Sequence, residues 1–104
     1  MNNSVIYCTV PNEFTANLIA TTLVDENLAA CVNIVPAVKS IYKCNGVMQE
    51  DNELLLIIKT QLSKFKDIED SIKQLHEYTL PEIIALPIVN GSEEYQNWII
   101  EQTK

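Results

Sequence analysis

Segments rich in β-branched and aromatic residues recur along the chain and predict four strands. They cover residues 5–10, 28–43, 47–60 and 81–89, and turn or helix-like sequences separate them. Pro36 interrupts the second segment, which predicts a long strand with a bend. Prolines bracket the fourth segment, so we expect it at a sheet edge or with irregular pairing.

Between the strands, apolar residues recur at every third or fourth position, which is typical of helices. The first predicted helix follows Asn12 and ends at Asn27 in the left-handed conformation. The second is capped by Ser63 and has His76 in its last turn, and the third is capped by Ser92. The residues predicted to face the core are Ala16, Leu18, Ile19, Ala20, Leu23 and Val24, then Phe65, Ile68, Ile72 and Leu75, then Tyr95, Trp98 and Ile99.

The order βαββαβ, followed by one more helix, predicts an α+β fold of the ferredoxin-like type. In this arrangement two helices cover one face of an antiparallel four-stranded sheet. Asn45-Gly46 favours a type I′ turn, so strands two and three should form a long hairpin. Leu54–Ile58 is apolar on both faces, which predicts a central strand. We expect residues 1–104 to form a single domain.

In such a fold both of the first two helices lie on one face of the sheet, and the opposite face stays uncovered. The third strand is apolar on that face too, and a large exposed apolar patch is unusual in a monomer. A domain of this length also has little stability in reserve. The sequence therefore predicts self-association, as a dimer or trimer.

The charge balance argues against two classes of partner. The chain carries seven basic and fourteen acidic residues, a net charge of -7, and all of its basic residues are lysine. Nucleic-acid binding requires clustered positive charge, so we expect neither nucleic acid nor an anionic membrane surface as a partner. A negative field is compatible with cation binding.

The three cysteines, Cys8, Cys31 and Cys44, are an odd number without close spacing. This pattern favours reduced thiols over a disulfide framework or a zinc ribbon. The first residues lack the basic segment of a signal peptide, and no apolar run is long enough to span a membrane. We therefore expect a cytoplasmic protein.

The predicted topology brings three potential metal ligands to one end of the domain. Cys8 lies near the end of strand one, His76 ends helix two, and Glu82 begins strand four. Thiolate, imidazole and carboxylate are common ligands of transition metals. Each residue also has a purely structural interpretation. Cys8 could be a small buried apolar residue, and His76 could be a cation at the helix terminus. Glu82 could bond to the backbone.

The chain lacks the residues that other activities of this fold require. A metallochaperone would carry Cys-x-x-Cys where the first loop reads Thr9–Asn12, and a phosphate-handling enzyme would need arginine. An RNA-binding sheet would expose aromatics where strand three offers Leu54–Ile58. No nucleophile, acid and base set is visible, so we do not expect an enzyme. We interpret the acidic residues 50–53 as a solvated strand face.

Five sequence blocks, in order and with matching separations, carry a family resemblance. They are Cys8–Glu13, Leu28–Pro36, Ser40–Tyr42, Leu56–Thr60 and Pro81–Ile88, followed by Tyr95 and Trp98. Together they resemble the CutA family of divalent-cation tolerance proteins. The resemblance implies a ferredoxin-like fold, a homotrimer joined by long hairpins, and tolerance of divalent cations, with copper the expected metal. It also implies copper ligands at Cys8 and at two histidines ending helix two, where this chain reads Leu75-His76.

The implied trimer is also similar to PII signalling proteins, which bind small effectors in clefts between subunits. Tyr42, Lys59 and Glu82 would line such clefts. A regulatory module that binds an effector or a partner protein is therefore the alternative function. Tyr42 as an interface anchor and Lys59 in an ion pair at a strand end are the structural interpretations of these residues.

Overall fold

Four strands and three helices account for most of the chain. A computed structural model describes all 104 residues, Met1–Lys104. The elements are β1 (Asn3–Val10), α1 (Glu13–Asp25), β2 (Cys31–Cys44), β3 (Val47–Gln61), α2 (Phe65–Leu75), β4 (Ile84–Pro87) and α3 (Glu93–Gln102). None of the three helices is long and apolar enough to cross a membrane.

The sheet has the strand order β2-β3-β1-β4, and every neighbouring pair is antiparallel. β1 and β2 therefore run one way and β3 and β4 the other, which confirms the predicted α+β, ferredoxin-like topology. β3 lies between β2 and β1, and Leu56 and Ile58 on it are fully buried. The apolar run of the third strand is central, as predicted.

The core lies between one face of the sheet and helices α1 and α2. Alternate residues of β1 and β3 point into it, because successive side chains of a strand face opposite ways. The fully buried members of this cluster are Ile6, Cys8, Val10, Ala16, Ile19, Leu23, Leu56, Ile58, Ile68 and Ile72. The buried thiol of Cys8 lies under the two helices, near the end of β1.

The opposite face is only partly covered. Asn3, on the face away from Ile6, donates from Nδ2 to the carbonyl and Oε1 oxygens of Gln96 in α3, at 3.2 and 2.9 Å. Helix α3 thus covers one end of this face and buries Ile99 completely. The remainder, which we call the open face, consists of Tyr7, Val35, Leu55, Ile57, Ile84 and Leu86. Its outer members stay exposed, Ile84 to 50%.

The β2–β3 hairpin projects beyond the core and gives the chain its length of 45 Å against 25 and 23 Å in the other directions. Asn45 and Gly46 have φ angles of 51° and 78°, which confirms the type I′ turn. The bend at Pro36 is also confirmed: the register shifts between Val35 and Val38, and Ala37 has a φ of 61°. This shift is a β-bulge.

Of the two predictions about the ends of the first two helices, the left-handed stop at Asn27 is confirmed and the cap at Ser63 is wrong. Helix α1 ends at Asp25, and Asn27, with a φ of 59°, adopts the left-handed conformation just beyond it. Ser63 does not cap α2, because it lies within a 3-10 turn, Leu62–Lys64, whose backbone leads directly into the helix. The tight turn removes the need for a side-chain cap.

Four residues predicted to face the core are instead exposed. Leu18 and Val24 lie on the outer side of α1 and are 36% and 42% exposed, because Ile19 and Leu23 already fill the face that packs on the sheet. In α3 the predicted cap is confirmed, since Ser92 Oγ accepts from the Tyr95 amide. Tyr95 and Trp98, however, stack on each other at 5.4 Å between ring centroids and remain more than 40% exposed.

The fourth strand is shorter than the predicted residues 81–89. Only Ile84–Pro87 pairs with β1. Pro81 and Pro87 lack amide protons, so they cannot extend the ladder in the way other residues would. The residues between α2 and β4 consequently form a loop, which lies at the end of β1.

Candidate metal centre

The side chain of His76 lies against the end of β1. His76 is the C-cap of α2, with φ −78° and ψ 145°, and its amide bonds to the Ile72 carbonyl at 2.8 Å. This extended conformation stops the helix, and the imidazole Nε2 lies 2.8 Å from the Thr9 carbonyl oxygen. His76 therefore contacts the residue that follows Cys8 in β1.

Both nitrogens of this imidazole are engaged. A carbonyl oxygen only accepts, so Nε2 carries the proton and donates to Thr9. Nδ1 accepts a hydrogen bond from the Tyr78 amide at 3.0 Å. The ring is thus a neutral tautomer held at both nitrogens, and coordination through Nδ1 would require the Tyr78 bond to break.

The thiol of Cys8 is buried in a negative field. Burial first, and then the charges of Glu82 and Glu53, raise the pKa of Cys8 to about 12. Its only hydrogen bond is a long contact of 3.7 Å from Sγ to the Thr9 carbonyl. A field that opposes loss of the thiol proton also favours a bound cation, which would in turn stabilise the thiolate.

Glu53 and Tyr78 also belong to this region, although the sequence did not predict either of them as a site residue. Glu53 is 7% exposed, which contradicts the predicted solvated face for residues 50–53, and its Oε2 accepts from the Tyr78 hydroxyl at 2.8 Å. Burial and the Glu53 carboxylate raise the pKa of Tyr78. Strand alternation gave no signal for this burial, because it places Glu53 on the open-face side of β3 with Leu55 and Ile57.

Glu77 fixes the loop that follows His76 to the start of α1. Its Oε1 accepts from Asn12 Nδ2 at 3.0 Å and from Thr15 Oγ1 at 2.6 Å. These two bonds lower the pKa of Glu77. The same Asn12 caps the helix, since its Oδ1 accepts from the Thr15 amide at 2.8 Å. The loop is therefore anchored to α1 immediately after His76.

The predicted ligands are neighbours, but they are not assembled into a coordination shell. Nowhere in the chain are three or more His, Cys, Asp or Glu side chains arranged to hold a metal ion. Cys8 is fully buried, His76 is hydrogen-bonded at both nitrogens, and Glu82 is exposed on the loop before β4. Soft and hard donors are available at this end of the sheet, and the loop would have to move to bring them together.

The residues predicted for an effector cleft are far apart within one chain. Tyr42 pairs with Gln49, and its hydroxyl bonds to the Asp51 carboxylate. Lys59 lies ten residues beyond Gln49 on β3, a separation of about 33 Å at the usual rise of a strand. A single chain therefore does not bring Tyr42 and Lys59 to one cleft.

Comparison with known proteins gives consistent matches over almost the whole chain. The family profile described as CutA1 divalent ion tolerance protein matches residues 4–102. The divalent-cation tolerance protein CutA of Thermus thermophilus is 52% identical over 99 residues, which are 95% of this chain and 96% of that protein. The chloroplastic protein CutA of Arabidopsis thaliana is 46% identical over 96% of this chain, which spans only 55% of the plant protein.

A solved structure agrees with these sequence matches. The structure of the divalent cation tolerance protein from Thermus thermophilus superposes with a TM-score of 0.96 at 50% identity. The match covers 98% of this chain and 99% of the other. Both the strand order and the long hairpin therefore belong to a known architecture.

Proposed function

The chain belongs to the CutA1 family of divalent ion tolerance proteins, and on this premise we propose that it acts in cation tolerance by binding a divalent transition metal, copper in the first instance. In this proposal the protein forms a homotrimer and has no enzymatic activity. The proposed ligands are Cys8, His76 and Glu82. The observation that carries the proposal is the buried Cys8 thiol in the field of Glu82 and Glu53, beside the His76 ring.

Calorimetric titration tests the metal site directly. Copper(II) and zinc(II) are each added to the wild-type protein and to the variants Cys8→Ser, His76→Ala and Glu82→Gln, with zinc included because it does not oxidise thiols. We expect Cys8→Ser to lose most of the affinity, since thiolate is the preferred soft ligand. Cys44→Ser is the matched control, because Cys44 is exposed at the hairpin turn. Equal binding by wild type and Cys8→Ser would contradict the site.

The proposed trimer is supported by the open face. Val35, Ile84 and Leu86 on it are 37%, 50% and 41% exposed, and Tyr95 and Trp98 of α3 add exposed aromatic surface. Apolar surface of this extent is typical of a subunit interface. The long hairpin projects beyond the core, and its residues 41–48 are all exposed and available to contact a neighbour.

Analytical ultracentrifugation tests the assembly. Ile84→Glu places a charge on the open face and should convert trimers into monomers, because a buried unpaired carboxylate is costly. Phe14→Glu is the control, since Phe14 is 75% exposed on α1, away from that face. A wild-type monomer, or a trimer that Ile84→Glu leaves intact, would contradict the proposed interface.

Lys59 favours the second candidate, an effector-binding module. It is partly buried on β3, and none of the four ion pairs in the chain includes it. A partly buried ammonium without a carboxylate partner can hold an anionic group from a ligand or a neighbouring subunit. A cleft that also contains Tyr42 would form only between subunits.

Thermal denaturation with anionic metabolites and nucleotides tests this alternative. A ligand that binds only the folded protein must raise the melting temperature. The shift should disappear in Lys59→Met, which keeps most of the side-chain volume, and persist in Lys64→Met, a lysine that lies outside the sheet. No shift at saturating ligand, together with tight metal binding, would leave only the metal function.

We propose the cytoplasm as the site of action. The support is the set of three free cysteines, which suits a reducing compartment. The plant relative is named as chloroplastic, so the compartment is not common to all relatives. Cell fractionation with an antibody to the native protein tests the assignment.

A further inference from the structure

Both glycines of the chain follow an asparagine. Asn45-Gly46 forms the hairpin turn, and Asn90-Gly91 lies between β4 and α3. When glycine follows asparagine, the backbone nitrogen of the glycine can attack the asparagine side chain. Glycine has no side chain that would shield this nitrogen. The two sites share a sequence but differ in conformation, so the fold sets their reactivity.

At Asn90 the reacting groups are already in contact. The Gly91 amide donates to Asn90 Oδ1 at 3.1 Å, which holds its nitrogen beside the side-chain carboxamide. That amide has no backbone partner, and residues 88–92 belong to no strand or helix. Asn90 and Gly91 are both exposed, so water has access to them. Ring closure here requires no secondary structure to open.

We propose that Asn90-Gly91 is a self-modification site that converts to aspartate and isoaspartate. The Gly91 nitrogen forms a bond to Cγ of Asn90, and the Cγ–Nδ2 bond breaks. Nδ2 leaves as ammonia and carries away the proton of the Gly91 amide. Water then opens the cyclic imide at one of its two carbonyl carbons. Attack at one carbon leaves aspartate, and attack at the other leaves isoaspartate, in which the main chain runs through the former side chain.

Asn45 is protected from the same reaction by its turn. Asn45 and Gly46 have positive φ angles, and the flanking residues Cys44 and Val47 pair in the hairpin ladder. No hydrogen bond joins the Gly46 amide to the Asn45 side chain, in contrast to the bond at Asn90. Ring closure at Asn45 would have to rotate the peptide out of the turn, at the cost of the turn geometry.

The two products would affect α3 differently. Ser92, two residues after Asn90, caps this helix through the Tyr95 amide, and Glu93 and Glu94 follow. An aspartate at 90 adds one negative charge near a helix N-terminus, where such charge is tolerated. An isoaspartate lengthens the main chain by one carbon immediately before the cap. It should loosen α3, which holds Ile99 against the sheet.

The test is incubation of the intact protein in mildly alkaline buffer, followed by peptide mapping and enzymatic methylation of isoaspartate. Wild type and Asn45→Gln should accumulate the products at position 90 at equal rates. Asn90→Gln should lower the total conversion by roughly tenfold or more, because the longer side chain closes its ring slowly. Folded Asn90 should convert at least as fast as the same sequence in a synthetic peptide, and folded Asn45 more slowly than its peptide.

Two results would overturn the proposal. One is an Asn90 that converts more slowly in the folded protein than in the peptide, since the contact with Gly91 would then be protective. The other is faster conversion at Asn45 than at Asn90. Neither readout involves a metal or an effector, so the outcome is independent of the proposed function.

Discussion

At the scale of single residues, the lone pair on Nδ1 of His76 decides how the proposed site can operate. Nε2 carries the proton that bonds to Thr9, and Nδ1 already accepts from the Tyr78 amide. A metal ion needs an unprotonated nitrogen. Metal and the Tyr78 amide therefore compete for the same lone pair.

This competition gives a prediction that separates His76 from the other ligands. On addition of zinc, we expect hydrogen exchange at the Tyr78 amide to accelerate, because its acceptor is taken by the metal. Exchange at the His76 amide, which bonds to Ile72 within α2, is the internal control and should stay slow. Zinc binding with unchanged exchange at Tyr78 would show that His76 is not a ligand through Nδ1.

The hydroxyl of Tyr78 supports a buried carboxylate, and its removal should weaken the fold. Tyr78→Phe leaves Glu53 without its donor, and an unsatisfied buried acceptor costs about 1–3 kcal/mol. Urea denaturation measures the loss. The matched control is Tyr42→Phe, whose hydroxyl bonds to Asp51 on the exposed hairpin and should change stability by no more than about 0.5 kcal/mol. Equal losses in the two variants would contradict a special role for Tyr78.

The sequence could place the candidate site but not its hydrogen bonds. Topology alone brought His76 to the end of β1, because an antiparallel return helix must end where the first strand ends. The engagement of both ring nitrogens depends on the extended conformation at residue 76, which no periodicity encodes. Glu53 was misjudged because its acidic neighbours on the hairpin suggested exposure, whereas the loop carrying Tyr78 covers it.

At the scale of elements, Asn12 joins α1 to the loop after α2. Asn12→Ala removes the cap on the Thr15 amide and one bond to Glu77, and we expect a loss of about 1–2 kcal/mol. Asn17→Ala, on the exposed side of the same helix, should stay within about 0.5 kcal/mol of wild type. Thermal and urea denaturation of both variants measure the difference, and equal stability would show that the cap is dispensable.

The bulge in β2 holds a strained alanine. Ala37 has a φ of 61°, which costs a residue with a Cβ about 1–2 kcal/mol, whereas glycine loses only about 0.5–1 kcal/mol in chain entropy. Ala37→Gly should therefore stabilise the protein by about 0.5–1 kcal/mol by urea denaturation. Ser40→Gly, in the regular part of the same strand, should destabilise it by about the same amount. A destabilised Ala37→Gly variant would contradict the strain.

The sequence predicted the helices and strands themselves. Its predictions were wrong where the outcome depends on contacts between elements. The bend at Pro36 and the turn at Asn45-Gly46 depend on local backbone preferences, so the sequence predicted both. The exposure of Tyr95 and Trp98 did not follow, because a helical pattern shows which residues share a face but not whether one chain supplies the partner surface.

At the scale of the whole molecule, the separation of about 33 Å between Tyr42 and Lys59 along the sheet makes ligand binding a measure of assembly. Any small ligand that touches both residues must draw them from different chains. Its apparent dissociation constant should therefore rise when the protein is diluted to the concentration at which subunits separate. Ligand and subunit association are then linked, and each must strengthen the other by the same factor. A dissociation constant that is unchanged on dilution to monomers would show that one chain holds the ligand alone.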